Sequence, residues 1–534
     1  MKQKRIITLV VLSASGGLLS GLAYMPFLSG MVLLISFIPF FLVAGEQFSQ
    51  ENRFGSRLPF LIMLPGFLVF NITALAWIRI AGVPLLITAI VANTFIMTFT
   101  FWLGLIIRQR AGKTTGNASI IIFWLAMEFA TNNIPLLSPW LNLGNGLAGE
   151  PLLIQWYEFT GVAGGTLWIL ITNMVLADAI RYMTSGNFIG KQVFRLTPAL
   201  FLLILPPVIS MALLRNYEGT PGNGYTEVLV VQPNLDPYTD KFTIPFNQQL
   251  EQILYDVSSS ITEGTSWIIT PETTIDDPVN LSDTGSDQYI SAIREFLTAN
   301  HLPAFILGAV TYTPGPPDRL NNSALMITHN HPVTSYHKSK LVPGIEKTLG
   351  GTLSFLQGIF PELGGTSGGY HGQSSPSLMV NPVDGSCAAP VICFESAFGE
   401  HVSRFVKMGA EFITVITNDG WWKGTYGYYQ HLTFSSLRAI ENRRTVVRAA
   451  NTGVSAIIDH RGRIIAELPW WEKGTINHIV ETSDKLTFYT RYGDLLGRTS
   501  ATVTIFILLL QLVAYQFRGY RDMKLSYPSS SHSM

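Results

Sequence analysis

The apolar residues of this chain are segregated along its length, and that segregation constrains the fold more than any motif does. From the start to Leu214 they fall into runs near the ~20 residues that carry a helix across a bilayer. The runs are Ile6–Tyr24, Met31–Ala44, Leu58–Ile78, Val83–Ile107, Ala118–Asn132, Gly165–Ile180 and Thr197–Leu214, the second and fifth being short. From Gly222 to Thr490 the texture changes to charges, turn signals and apolar runs of strand length, as a water-soluble α/β domain requires. A last apolar run, Ala501–Phe517, precedes a polar tail. The expected organisation is a seven-span bundle over 1–214, a soluble domain over 222–490, a transmembrane helix over 500–517 and a cytoplasmic tail over 518–534.

Charge placement orients the spans. With the N-terminus inside and the spans alternating, the inner segments hold Lys2, Lys4 and Arg5; Arg53 and Arg57; Arg108, Arg110 and Lys113; Arg181, Lys191 and Arg195; and Arg518, Arg521 and Lys524. The outer loops between the first seven spans hold only Arg79, and Ile134–Ala163 has no Lys or Arg. This is the positive-inside pattern, and seven preceding spans place the soluble domain outside the cytoplasm. Reading Met1–Tyr24 as a cleaved signal peptide would spoil that bookkeeping. Glu128 and Asp178 interrupt apolar runs; a bundle-facing hydrogen bond is expected for the first and a position near the inner interface for the second.

Composition closes several classes. Only 13% of residues are charged and 48% are apolar, which excludes a disordered chain. Thirty-five basic residues against 35 acidic ones leave no electrostatic case for nucleic acid. Two cysteines make neither a disulfide scaffold nor a zinc finger.

Three segments of the soluble domain follow expected strands. Ser266–Glu272 (Ser-Trp-Ile-Ile-Thr-Pro-Glu) ends in a carboxylate after Pro271. Tyr336–Glu346 carries Lys338, Lys340 and Glu346. Ala389–Ser396 (Ala-Pro-Val-Ile-Cys-Phe-Glu-Ser) is an apolar run that ends in a thiol. Singly, each is what a surface Glu, a solvated Lys pair or a small core cysteine would give. Together they supply a base, a cation and a nucleophile, the set that acyl chemistry through a thioester requires.

Pro-Glu, then Tyr-x-Lys-x-x-Leu-Val-Pro-x-x-Glu, then Cys-x-Glu resembles the carbon–nitrogen hydrolase (nitrilase) superfamily with its Glu-Lys-Cys triad. Further matches are Val231–Asn234, Asn418-Asp419-Gly420-Trp421-Trp422, His431, Arg438, Glu441, Arg448–Gly453, and Pro139-Trp140 with Gly144 in an outer loop. With the spans included, the chain resembles the apolipoprotein N-acyltransferase family from Met1 to Phe517. Departures are Phe394 where the family often has Tyr, Asn321-Asn322 in place of an aromatic-Asn pair, and Gly344-Ile345 in place of Phe-Gly.

The resemblance implies a multi-span helical membrane bundle plus an α/β nitrilase-like α-β-β-α sandwich. It implies a bacterial inner membrane with the catalytic domain facing the periplasm. The reaction implied moves a phospholipid acyl chain, through a thioester on Cys393, to the α-amino group of a diacylglyceryl-cysteine apolipoprotein. Glu272 is then the general base and acid, and Lys338 stabilises thiolate and oxyanion. Glu346 and Glu395 are accessory, and Trp421, Trp422, Asn322 and Phe394 line the substrate pocket. No cofactor and no metal are required, and no nucleic acid is a partner. The apolar segment Leu349–Phe360 is expected to touch membrane or its own domain.

Other classes remain. The same triad on a membrane-tethered amidase acting on a small amide would leave most of the spans superfluous. A transporter with an accessory domain would want repeated, Gly/Pro-broken span pairs. A catalytically dead scaffold would not keep Glu272, Lys338 and Cys393 together.

Overall fold

The computed structural model describes residues 3–46, 57–184, 189–217, 222–241, 243–316, 318–347 and 369–526, and the counts below refer to these. The segment Leu349–Phe360 and the end of the polar tail lie outside them. The N-terminal half forms α1 (Gln3–Leu22), α2 (Leu33–Ser36), α3 (Ile38–Ala44), α4 (Leu58–Leu75), α5 (Val83–Ala111), α6 (Lys113–Asn133), α7 (Tyr157–Thr184) and α8 (Ile189–Tyr217). Among the described residues six helices are long and apolar enough to cross a membrane. They are α1, α4 with its 3-10 extension to Ile80, α5, α7, α8 from Leu196, and the C-terminal helix as far as Ala514.

Two of the eight expected spans therefore differ. Met31–Ala44 is not one helix but a 3-10 turn followed by α2 and α3. Asn173 of α7 explains the break: its amide donates to the Leu33 carbonyl (2.7 Å) and accepts from the Phe37 N–H (2.8 Å). Those two groups would bond each other in a continuous helix, and Pro39 has no N–H to contribute beyond them. Ala118–Asn132 lies within α6, a full 21-residue helix that folds back on α5 across Gly112 (φ 88°). With Lys113, Asn117 and Glu128 along it, α6 is not apolar enough to count among the six.

Packing accounts for the polar groups. Glu128 is buried and fully bonded, accepting from Trp124 Nε1 (3.0 Å), Leu143 N (2.7 Å) and the Thr166 hydroxyl (2.6 Å). Asp178 pairs with Lys113 (2.8 Å) and Arg181 (3.5 Å). Phe37, Phe40, Phe67, Phe101 and Trp124 form a fully buried aromatic core. Small residues let α1 and α4 approach: a Cβ on Gly17 would meet the Gly66 carbonyl at 1.8 Å.

The soluble domain opens with β1 (Gly224–Gln232), α9 (Phe246–Ser258), β2 (Thr265–Ile269), β3 (Ile275–Asn280), α10 (Gln288–Ala299), β4 (Ala304–Thr313), β5 (Arg319–Ile327) and β6 (Thr334–His337). It continues with β7 (Met379–Val380), β8 (Cys387–Ile392), α11 (Gly399–Lys407), β9 (Phe412–Thr417), α12 (Gly427–Asn442), β10 (Val446–Ala450), β11 (Ala456–Ile458), β12 (Ile464–Glu467) and β13 (Gly474–Thr482). Two helices close the chain, α13 (Phe488–Tyr492) and α14 (Leu495–Ser526). One sheet runs β13-β1-β2-β4-β5-β6, with β3 also on β4; the other runs β12-β11-β10-β9-β8-β7.

The strands read as unbroken apolar runs because both faces of each sheet are covered. Val228, Val230, Trp267, Ile269 and Ile306 share a core with Val391, Ile413 and Val447 of the second sheet, and the Trp267 and Phe412 rings meet at 5.5 Å. The alternate residues Leu229, Val231, Ile268, Phe305 and Leu307 face α9 and α10. Helices α11 and α12 cover the second sheet, completing an α-β-β-α sandwich.

Helix α12 also docks the sandwich on the bundle. Phe434, Leu437 and Ile440 belong to the same core as Trp77, Trp140 and Tyr157. Gln430 Oε1 accepts from both Trp77 Nε1 (3.1 Å) and Trp140 Nε1 (2.7 Å), and its Nε2 donates to the carbonyls of Tyr24 and Ala74. Just past α12, Arg443 is held by Gln155, just before α7, and by Glu158 in its first turn.

Candidate active site

Three strand ends present the groups singled out in the sequence. Glu272 follows β2, and Gly308 on the neighbouring β4 donates its N–H to the Pro271 carbonyl (3.0 Å). The chain then turns sharply, with Thr273 at φ 54°. Gly308 lies so close beneath this turn that a Cβ there would sit 2.6 Å from the Glu272 Cα and 2.4 Å from Thr273 N. Gly308→Ala is expected to displace Glu272 while the sandwich stays folded, with turnover falling ~100-fold, the usual cost of a misplaced reacting group. Turnover measured beside far-ultraviolet circular dichroism checks this.

Register sets the next pair. The antiparallel pairing of Ser323 with His337 puts Asn322 opposite Lys338, whose N–H donates to the Asn322 carbonyl (2.8 Å). The Lys338 ammonium is buried and donates to Glu272 Oε1 (2.9 Å) and Glu346 Oε1 (2.7 Å). Asn322 Nδ2 donates to the same two oxygens, at 2.8 and 3.0 Å. The other oxygen of Glu346 accepts from Val342 N (2.8 Å), which fixes its carboxylate.

Cys393 stands where β8 gives way to a short 3-10 turn, and its φ of 49° is a strained left-handed value for a residue with a side chain. Two buried groups hold it there. Glu395 accepts from Ile392 N (2.9 Å) on one side and from Ser339 N (2.7 Å), Lys340 N (3.1 Å) and the Tyr336 hydroxyl (2.7 Å) on the other, so it ties the Cys393 turn to the segment that carries Lys338. His431 Nε2 donates to the Cys393 carbonyl (2.9 Å), and its Nδ1 meets Asp419 (2.9 Å), which Arg448 also engages.

Electrostatics follow from burial and partners. For Lys338, burial works against the charge, but Glu272 and Glu346 overcome it and hold its ammonium well above the usual lysine range. Burial and the charge of Glu272 push the Glu346 carboxyl up despite Lys338. Burial, then Glu272, push the Cys393 thiol far above its ordinary value, with Lys338 only partly offsetting them. The resting thiol is therefore protonated, and any reaction at this sulfur requires a base to take its proton. Burial opposes the charge on Asp419, yet Arg448 and His431 bring its carboxyl down to about 2. Glu395 is likewise lowered against burial, chiefly by His401.

The pocket residues divide. Phe394 stacks on Trp140 (6.2 Å), which meets Trp422 (6.0 Å) and Phe434 (4.9 Å); Trp422 also meets Trp77 (5.3 Å). Domain and bundle thus share one aromatic wall. Trp421 turns elsewhere, toward Tyr238 (5.4 Å). Asn322 sits among the carboxylates beneath Lys338, not on that wall. Among the described residues no group of three or more His, Cys, Asp or Glu could hold a metal.

Sequence reasoning missed Gly308, the place of Asn322 between two carboxylates, the backing of the Cys393 turn by His431, Asp419 and Arg448, and the Gln430 clasp. The one local signal was a glycine inside an apolar strand, which marks a close approach of backbone.

Comparison with known proteins joins the two halves. A carbon–nitrogen hydrolase family model matches residues 240–484, and a model of the apolipoprotein N-acyltransferase N-terminal domain matches residues 16–175. The apolipoprotein N-acyltransferase of Chlorobaculum tepidum is 29% identical over 517 residues, covering 90% of this chain and 94% of that one. Its counterpart from Geobacter metallireducens is 26% identical, covering 86% and 87%. The crystal structure of Saccharomyces cerevisiae Nit3, a nitrilase-superfamily member, is similar with a TM-score of 0.37 and 12% identity, covering 48% of this chain and 90% of that one. Both family models, in their order along the chain, and relatives matched nearly end to end carry the same conclusion: this chain belongs to the apolipoprotein N-acyltransferase family.

Proposed function

We propose that this multi-pass bacterial membrane protein acylates the α-amino group of the diacylglyceryl-cysteine that begins an apolipoprotein, with a phospholipid as acyl donor. The observation that carries the reading is the buried Glu272–Lys338–Glu346 cluster within electrostatic reach of Cys393, beside an aromatic wall built by both domain and bundle. A soluble amidase needs only the first of these. The N-terminal family match over residues 16–175 also favours the acyltransferase over a tethered amidase.

The chemistry runs in two halves. Cys393 attacks the ester carbonyl of the phospholipid as Glu272 takes the thiol proton. Lys338 faces the oxyanion, a preorganised charge in a dry site. Collapse breaks the ester C–O bond, Glu272 protonates the departing lysophospholipid, and a thioester remains on Cys393. The lipoprotein amine then attacks the thioester, Glu272 takes the amine proton, and the thiol leaves with a proton regained. Glu346 and Asn322 hold Lys338 and Glu272 in register throughout, and Glu395 fixes the turn that carries Cys393.

A diacylglyceryl-cysteine lipopeptide given to the purified protein in phospholipid micelles is expected to gain one acyl mass. The same peptide with an acetylated amine is expected to gain none. Acylation of the blocked peptide, or release of free fatty acid with no amide formed, contradicts the assignment.

We place the soluble domain in the periplasm on the charge pattern of the loops. A protease site inserted in the exposed Pro314-Gly315-Pro316 turn is expected to be cut in spheroplasts without permeabilisation, with tags at both termini protected. Protection of the inserted site would reverse the orientation and remove the lipoprotein substrate.

A further inference from the structure

The carbonyl of Cys393 is held by a buried polar network to which the two-step chemistry above gives no task. His431 Nε2 and the Ser396 hydroxyl each lie 2.9 Å from that oxygen, and 2.9 Å from each other. A carbonyl oxygen only accepts, so both bring a hydrogen to it. Behind the imidazole, Nδ1 meets Asp419 Oδ1 (2.9 Å), which also accepts from the Thr417 hydroxyl (2.9 Å), and Arg448 engages the other carboxylate oxygen. A Cβ on Gly453 would meet that other oxygen at 2.6 Å, so the carboxylate has no room to swing. Ser396, Thr417, Asp419, His431 and Arg448 are all at most 1% exposed.

An apolar cluster of similar volume would hold the sandwich together at least as well, because a buried ion pair recovers little beyond its desolvation. What the network adds is direction. The Cys393 carbonyl and the Phe394 N–H are two ends of one planar trans peptide, and they point opposite ways. The carbonyl is bonded on the side of α12, which carries His431 and covers the outer face of the second sheet. The Phe394 N–H then faces the inner side, toward the first sheet, whose strand ends carry Glu272 and Lys338. Cys393 and Phe394 also open a 3-10 turn, and the leading N–H groups of such a turn have no acceptor within it. A strand, a nucleophile at positive φ and a helical turn form the elbow in which the N–H after the nucleophile serves the oxyanion. The bundle closes the outer side, where the Trp140 ring stacks on the His431 imidazole with centroids 5.8 Å apart.

We infer that His431, set by Asp419, is a positioning residue for acyl transfer: it turns the Cys393–Phe394 peptide so that its N–H meets the oxyanion beside Lys338. The inference rests on the Cys393 thioester proposed above and adds what aims the second oxyanion donor. The carbonyl bond is the lever, and Asp419 keeps the imidazole at the angle that makes it.

The test uses full-length protein in micelles, in a Cys387→Ala background so that one thiol is counted. Two reactions at Cys393 are followed by intact mass. Acylation by p-nitrophenyl palmitate, in which the sulfur displaces p-nitrophenolate, passes through an oxyanion; alkylation by iodoacetamide, in which it displaces iodide, does not. The readout is the ratio of the two second-order rate constants. His431→Leu is expected to lower the ratio tenfold or more, a part of the roughly 100-fold that loss of an oxyanion donor brings. His431→Gln, whose amide can still donate to the carbonyl, should restore most of it. Ser396→Ala, which removes the weaker partner and disturbs little else, should lower it by about threefold. An unchanged ratio in His431→Leu overturns the inference, as does a parallel loss of both reactions, which would mark His431 as structural. Where His431→Leu does not fold, Ser396→Ala decides, and a ratio unmoved there overturns the inference while the thioester stands. Cys393 that is alkylated in the otherwise wild-type protein but takes no acyl group from the nitrophenyl ester or from phospholipid overturns the thioester itself, and the role of His431 with it.

Discussion

Cys393→Ala is expected to abolish both acyl transfer and the hydroxylamine-sensitive acyl adduct, while Cys387→Ala keeps both. The two thiols are chemically alike in sequence but differ in place. Both are free, so no disulfide competes with either. Cys387 begins β8 and pairs with Val380 across a two-strand ladder, and burial, then Glu411, push its thiol up to about 11. Cys393, at the other end of the same strand, also has a raised thiol, but it faces Lys338 and the carboxylate of Glu272. Burial holds both thiols neutral and each has a carboxylate near it, but of the two only Cys393 also has a cation, Lys338, acting on it among the described residues. Intact mass after incubation with phospholipid, with and without hydroxylamine, separates them. An adduct on the Cys393→Ala protein would move the chemistry elsewhere.

Glu272→Gln and Lys338→Ala are each expected to lower turnover by about 10³-fold or more, and the double variant by scarcely more than either single one. The reason is that the two groups act in the same transition state and share one hydrogen-bonded cluster with Glu346 and Asn322. The variants differ in stability. A glutamine at 272 can still accept from Lys338 and Asn322. Lys338→Ala leaves two buried carboxylates without their cation, and breaking a buried pair in this way costs about 3–5 kcal/mol. The expected sign of the pH effect follows, because two uncompensated carboxylates are relieved by protonation: the Lys338→Ala protein should be relatively more stable at pH 5 than at pH 8. Thermal unfolding at the two pH values checks it, and additive losses in the double variant would separate the roles assigned to Glu272 and Lys338.

The parts legible in the sequence are those that local pattern dictates. Apolar runs of strand length flanked by Pro271, by Lys338 and by Cys393 put three chemical groups at strand ends, and the motif order links them. What the pattern did not contain lies far apart in the chain. The break at Phe37 is made by Asn173, which no reading of Met31–Ala44 contains. Asn322 reads as a pocket residue until the β5–β6 register sets it under Lys338. Trp421 and Trp422 are adjacent in sequence, yet only the second reaches the wall formed with Trp140 and Trp77, because the turn between β9 and α12 points the two rings apart. The closeness of Gly308 to Glu272 is likewise set by sheet packing and not by either residue's neighbours.

The central claim is that one cysteine carries the acyl group from lipid to amine. Its most direct test is intact mass of the purified protein in two stages, first with phospholipid alone and then with the diacylglyceryl-cysteine lipopeptide added. The account predicts a gain of one acyl mass on Cys393 in the first stage, and in the second its loss in step with one equivalent of N-acylated lipopeptide. Acylated lipopeptide formed while Cys393 never carries the acyl mass, or an adduct that the amine does not discharge, would contradict it.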